Sequence, residues 1–85
     1  MEATYHLKVL TPNAKEIDGE VISIVAPGEA GYLGVLANHA PLITTLRAGD
    51  LSVRFRDGTE KTYQISGGIL KVAFNEAILL TETVS

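Results

Sequence analysis

The sequence has no cysteine and only two histidines. Without thiols, neither a disulfide nor a thiolate metal site can compensate for small size. At 85 residues the chain lies near the lower edge of what one hydrophobic core supports. Its stability must come from packing alone, on the order of 5–10 kcal/mol in all. The lack of thiols suits a reducing compartment. Long apolar runs are also missing: the longest is Ala77–Leu80, against the roughly 20 residues a helical membrane span needs. Met1-Glu2-Ala3-Thr4 has no basic stretch leading into an apolar one, so no secretory signal is expected. Basic charge is scarce too. Seven Lys and Arg are spread singly and the formal net charge is −3, which leaves no stripe to grip a phosphate backbone. Nucleic acid is not an expected partner.

Hydrophobic residues make up 46% of the chain and charged residues 20%, the balance of a folded globular domain. The pattern is that of strands almost throughout. Tyr5–Leu10 alternates and stops at Thr11-Pro12-Asn13. Asp18-Gly19 reads as a turn before Glu20–Val25, and Pro27-Gly28 closes that segment. Short apolar runs, Gly31–Leu36 and Leu42–Leu46, flank a loop carrying His39. Leu51, Val53 and Phe55 alternate with Ser52, Arg54 and Arg56, the clearest one-sided strand. Asp57-Gly58 reads as a tight hairpin into Glu60–Ser66, where Tyr63 and Ile65 share a face. Gly67-Gly68 bends the chain before Ile69–Phe74, and Asn75-Glu76 turns it into Ala77–Thr83. Sustained helical periodicity is absent, and the eight glycines mostly mark boundaries. Roughly seven to ten short strands predict an all-β antiparallel sandwich or flattened barrel, a single domain over residues 1–85.

Catalytic chemistry finds no constellation. A nucleophile triad would draw on His39 or His6, yet no G-x-S-x-G elbow exists, and the four serines sit in strands, at a strand end or at the chain terminus. The two histidines lack the spacing and further ligands of a metal site. Gly28, Gly31 and Gly34 lack the Lys-Ser/Thr and the helix start of a phosphate cradle, so turns and bulges explain them better. Glu16, Asp18 and Glu20 read as one solvated face. His6, between Tyr5 and Leu7, reads as a half-buried or surface side chain.

Several blocks then carry a resemblance. They are Thr4-Tyr5-His6-Leu7; Gly31-Tyr32-Leu33-Gly34; Asn38-His39-Ala40-Pro41-Leu42 with Thr44 and with Leu46 and Gly49; Ser66-Gly67-Gly68-Ile69-Leu70 with Val72; and Leu80-Thr81-Glu82-Thr83-Val84. In order and in register from residue 4 to residue 84, they resemble the epsilon subunit of F-type ATP synthases. The resemblance implies that family's amino-terminal sandwich of about ten strands. It also implies a non-catalytic central-stalk subunit that binds the gamma subunit and rests on the polar loops of the membrane c-ring, coupling proton flow to ATP synthesis. No cofactor, metal or homo-oligomer is expected. The location implied is the cytoplasmic face of a bacterial inner membrane, with the stromal face of a thylakoid as the alternative. The helical pair that often follows the family's sandwich has no counterpart up to Ser85, so inhibition by a helical arm is not expected.

Carried over residue by residue, the resemblance places Glu29, Ala30, Gly31, Tyr32, Asn38 and His39 at the c-ring. It places Thr11, Leu42, Thr44 and Leu46 at gamma. Leu42 and Leu46 are open to two readings, interface residues facing outward or ordinary sandwich core. Two departures stand out. Ala37-Asn38 replaces the family's frequent Pro-Gly, although Asn tolerates the left-handed conformation. Tyr32 stands where many relatives place an acidic or small residue, and an aromatic there suits a docking surface. The alternative reading is a stand-alone β-sandwich module that binds a ligand or protein without catalysis.

Overall fold

The computed structural model describes residues 2–85, which form eight strands and no helix. Met1 of the start motif lies outside the described residues. The strands are β1 (Tyr5–Leu10), β2 (Lys15–Gly28), β3 (Gly31–Leu36), β4 (Leu42–Leu46), β5 (Gly49–Phe55), β6 (Glu60–Ile65), β7 (Gly68–Ala73) and β8 (Glu76–Leu80). They hydrogen-bond in the order β1-β8-β7-β4-β2-β5-β6, with β3 also on β2. β1 pairs with β2 as well as β8, so the sheet closes on itself. The shortest extent, 19 Å, accommodates two layers about 10 Å apart with side chains on both outer faces.

Alternation within each strand decides the interior. In β1, Tyr5, Leu7 and Val9 are buried while His6, Lys8 and Leu10 face out. In β5, Leu51 and Val53 are buried, with Ser52 and Arg54 exposed. Leu70, Val72, Ala77 and Leu79 close the core from β7 and β8. Each buried Leu or Val contributes about 1.5–3 kcal/mol relative to exposure, the dominant favourable term for a thiol-free chain. The one tyrosine in the core brings a hydroxyl with it. Tyr5 OH donates to the Val35 carbonyl at 2.7 Å, bridging β1 and β3, and burial pushes its phenol well above the ordinary range.

Several turns match the sequence. Asp57-Gly58 forms the β5–β6 hairpin, with Gly58 at φ 89° and the Thr59 N–H donating to Asp57 Oδ1 at 2.8 Å. Gly67 and Gly68 have φ 106° and 139°, conformations that L side chains rarely adopt. Other expectations are corrected. Asp18-Gly19 is no turn: the two residues pair with Lys8 and Leu7, and β2 runs through them unbroken for 14 residues. The last hairpin turns at Phe74-Asn75, one residue earlier than read, because Glu76 already pairs with Ala73 and His6. The strands are not all antiparallel, since β1 and β8 run parallel.

A Cβ on Gly68 would collide with the Leu80 carbonyl oxygen, in addition to the strain of its positive φ. Gly68→Ala should therefore lower the unfolding free energy by at least about 3 kcal/mol, measured by urea denaturation.

Candidate docking surfaces

The turn Glu29-Ala30 joins β2 to β3 across the Gly28–Gly31 pair, and Gly31 takes φ 134° to close it. Two backbone bonds tie this tip to the end of β4. The Glu29 N–H donates to Thr45 O at 3.3 Å, and the Arg47 N–H donates to Pro27 O at 2.9 Å. Tyr32 is 55% exposed, and the Arg47 guanidinium lies 5.9 Å from its ring centroid. A cation over an exposed ring contributes about 0.5–1 kcal/mol, enough to bias the ring toward one orientation. Gly49 leaves room beneath: a Cβ there would come 3.1 Å from the Pro27 ring and 3.4 Å from the Tyr32 hydroxyl.

Asn38 and His39 form a second corner, at the far end of β3. Asn38 has φ 63°, the left-handed conformation its side chain tolerates. Its N–H donates to Asn75 Oδ1 at 2.8 Å, and Asn75 Nδ2 donates to Thr4 O at 2.9 Å. Asn75 thus clasps the β3–β4 corner, the β7–β8 turn and the start of the chain. His39 is exposed, and its Nδ1 donates to the adjacent Ala40 carbonyl at 2.7 Å. Its one hydrogen-bond partner is thus backbone, neither acid nor nucleophile. Among the described residues no group of three or more His, Asp or Glu is disposed to hold a metal ion. The Glu29–Tyr32 turn and the Asn38–His39 corner are not brought together. They lie at opposite ends of β3, about 20 Å apart at roughly 3.3 Å per residue.

The third surface is one the sequence did not resolve. On β4, Leu46 is 4% exposed and Leu42 packs against the core, so both belong to the sandwich interior. Thr44 shares that inward face. The outward residues are Ile43, 71% exposed, and Thr45. Register extends them across the sheet in two rows. Thr45, Ile69, Leu80 and Leu10 form one; Ile43, Lys71, Ile78 and Lys8 form the other. The outer face of β4-β7-β8-β1 is therefore largely apolar, which is unusual for a solvated sheet face. Along its edge runs a cavity of about 560 Å³ lined by Leu10, Pro12, Ile69 and Leu80, with Gly67 and Gly68 among its other lining residues. Thr11 lines the same cavity and caps its turn, its hydroxyl accepting from the Ala14 N–H at 3.2 Å. The sequence signal for this face was the adjacent apolar pairs, Ile69-Leu70 and Leu79-Leu80, which put hydrophobic side chains on both sides of a strand.

A closed β-sandwich is also what the relatives of this chain share. The family model described as ATP synthase, Delta/Epsilon chain, beta-sandwich domain matches residues 4–85. The chain belongs to the ATP synthase delta/epsilon family. An ATP synthase epsilon chain from Chlorobaculum tepidum is 42% identical over 84 residues, covering 99% of this chain and 96% of that protein. One from Moorella thermoacetica is 42% identical over 81 residues, covering 95% of this chain but 60% of its own length. The relatives thus come in two lengths, and the chain spans about three-fifths of the longer kind. A chain in the cryo-EM structure of the Euglena gracilis mitochondrial ATP synthase, OSCP/F1/c-ring, superimposes with a TM-score of 0.92 at 25% identity. It is covered over 54% of its length, and this chain over 100%. A Tetrahymena thermophila mitochondrial ATP synthase chain shares the fold, with a TM-score of 0.81 at 18% identity.

One further cluster marks this epsilon-type sandwich. His6 on β1 faces β2, where Nε2 meets Asp18 and Nδ1 meets Glu20 at 3.1 Å. Lys15 reaches Asp18 at 3.0 Å, and Glu76 of β8 stands in register beside His6. The hydrogen bond to Asp18, with help from Glu20, raises the His6 pKa above its usual 6.5; the Lys15 bond first, then His6, lowers that of Asp18. A raised histidine stabilises the fold fully below its unfolded pKa and loses that contribution as pH climbs through the folded value. A lowered aspartate acts in the opposite sense, its contribution vanishing as pH falls through its folded value. The β1–β2 clasp is thus strongest in mildly acidic solution. An NMR titration should show His6 ionising above pH 6.5, and His6→Gln should flatten the stability decline from pH 6.5 upward.

Proposed function

We propose that this domain is a central-stalk, rotor subunit of an F-type ATP synthase, non-catalytic in itself, which joins the gamma subunit to the c-ring and so couples proton translocation to ATP synthesis. The observation that carries this is the match of the whole sandwich to epsilon chains. The superposition on a chain from an assembly that includes a c-ring supports it. As part of such a complex the domain is held at a membrane surface without entering it. The cytoplasmic face of a bacterial inner membrane is the location proposed, a thylakoid stromal face being the alternative.

The surfaces divide the work. Glu29, Ala30, Gly31 and Tyr32 meet the polar loops of the ring. Their tip is braced by the two bonds to β4, and Pro27 restricts its approach in advance, so little ordering remains for docking. Asn38 and His39, a strand's length away, reach the outer margin of the ring. Gamma takes the apolar outer face, through Ile43, Thr45, Ile69, Leu80 and Thr11. Leu42, Thr44 and Leu46 support that face from within. Torque then passes through a rigid body held on two separate sides.

Mixing the full chain with a gamma-containing catalytic sector stripped of epsilon, and separately with detergent-solubilised c-ring, should give association with both at micromolar concentration. Failure with both partners overturns the reading. Ile43→Asp should weaken the gamma arm alone and Tyr32→Ala the ring arm alone, each by roughly tenfold or more in Kd from isothermal titration.

A further inference from the structure

Phe74 is the first central residue of the β7–β8 hairpin turn, with φ 51°, and Asn75 follows at φ 57°. A two-residue hairpin with both central angles positive favours Asn, Asp and Gly. Asn75 fits that rule and uses its side chain for the clasp between Asn38 and Thr4. Phe74 does not fit it. A bulky aromatic in the left-handed region is strained, and such strain persists where it serves something else. Nothing among the described residues accounts for it, because Phe74 is 97% exposed and gains almost no burial.

What the turn does achieve is display. Lys71, Ala73, Glu76 and Ile78 form a shallow cleft at the foot of Phe74. Ile43 lies one strand away, paired with Lys71. The aromatic therefore stands at the margin of the apolar outer face and is continuous with it. The Asn75 bonds hold the tip to two other segments, so the ring is presented on a fixed base. Aromatic side chains supply large contact area at low entropy cost and recur as interface anchors.

We propose that Phe74 is an anchor side chain that inserts into an apolar pocket on the gamma subunit. The partner follows from continuity with the face assigned to gamma and from chemistry, since a bare phenyl ring suits an apolar pocket better than polar ring loops. The proposal rests on the rotor reading. Asn75 is its positioning residue, fixing the turn from which the ring projects.

The test compares wild type with Phe74→Asn, a residue at ease with positive φ, on the gamma-containing sector and on the solubilised c-ring. The expected result is a tenfold or greater rise in Kd for the gamma sector, an unchanged Kd for the ring, and a thermal midpoint no lower than wild type. A photoreactive phenylalanine analogue at position 74 should crosslink to gamma. An unchanged Kd for the gamma sector overturns the proposal, and so does a loss confined to the ring. Should the midpoint fall, Phe74→Gly repeats the measurement, and wild-type affinity in that variant overturns it as well. Wild type failing to bind either partner is a different outcome, which removes the rotor reading and this inference with it.

Discussion

β2 sets the register of its neighbours along 14 continuous residues. Its first half pairs with β1, its second half with β3 and β5, and its last residue meets Leu46 of β4. Val21 is the point of transfer, opposite both Tyr5 and Phe55. There the register with β5 shifts by one residue, leaving Ile22 without a partner on β5. Such a bulge bends a strand and increases its twist, which lets one strand serve both layers of a sandwich. Since one residue of slip would exchange interior for exterior along a strand, this shared strand indexes the burial of its neighbours at once. The Tyr5–Val35 hydrogen bond locks the same arrangement from inside, tying β1 to β3 across the strand they share.

From that frame the surfaces follow. β3 returns along β2, so its start and end necessarily present two turns at opposite ends of the domain. One is braced by backbone bonds to the end of β4, the other by the Asn75 side chain. Neither depends on a flexible loop. Meanwhile β7 and β8, filled with aliphatic residues, contribute one side chain in two to the core and offer the rest outward. The result is a small rigid body with a charged and aromatic end and an apolar side. Its shape suits gripping more than enclosing.

Much of this was legible in the residues themselves. The alternation in Leu51–Phe55, the Asp57-Gly58 hairpin and the break at Gly67-Gly68 are local signals read by local rules, and each appears in the fold. So is the left-handed Asn38. The misreadings have a common origin in pairings between distant residues. Asp18-Gly19 has the composition of a turn, but five cross-strand partners on β1 from Tyr5 to Val9 outweigh a local preference. In Leu42–Leu46, apolar residues occupy both parities, so period two alone cannot say whether Leu42 or Ile43 faces in. Only the register with β7 decides it. The parallel meeting of β1 and β8 joins segments some seventy residues apart, which no window of sequence reports. Phe74 reads in the sequence as the end of a strand, because an aromatic so rarely occupies a positive-φ turn position.

That parallel meeting bears on how the domain carries load. Five residue pairs join the first strand to the last, and the Thr81 N–H extends the ladder by donating to Leu10 O at 3.0 Å. Because the two strands point the same way, drawing the chain's ends apart slides one past the other. Their hydrogen bonds then share the force together and do not open in succession like a zipper. The sandwich is in effect riveted between its first and last strands, so a pull along the chain meets the whole ladder at once.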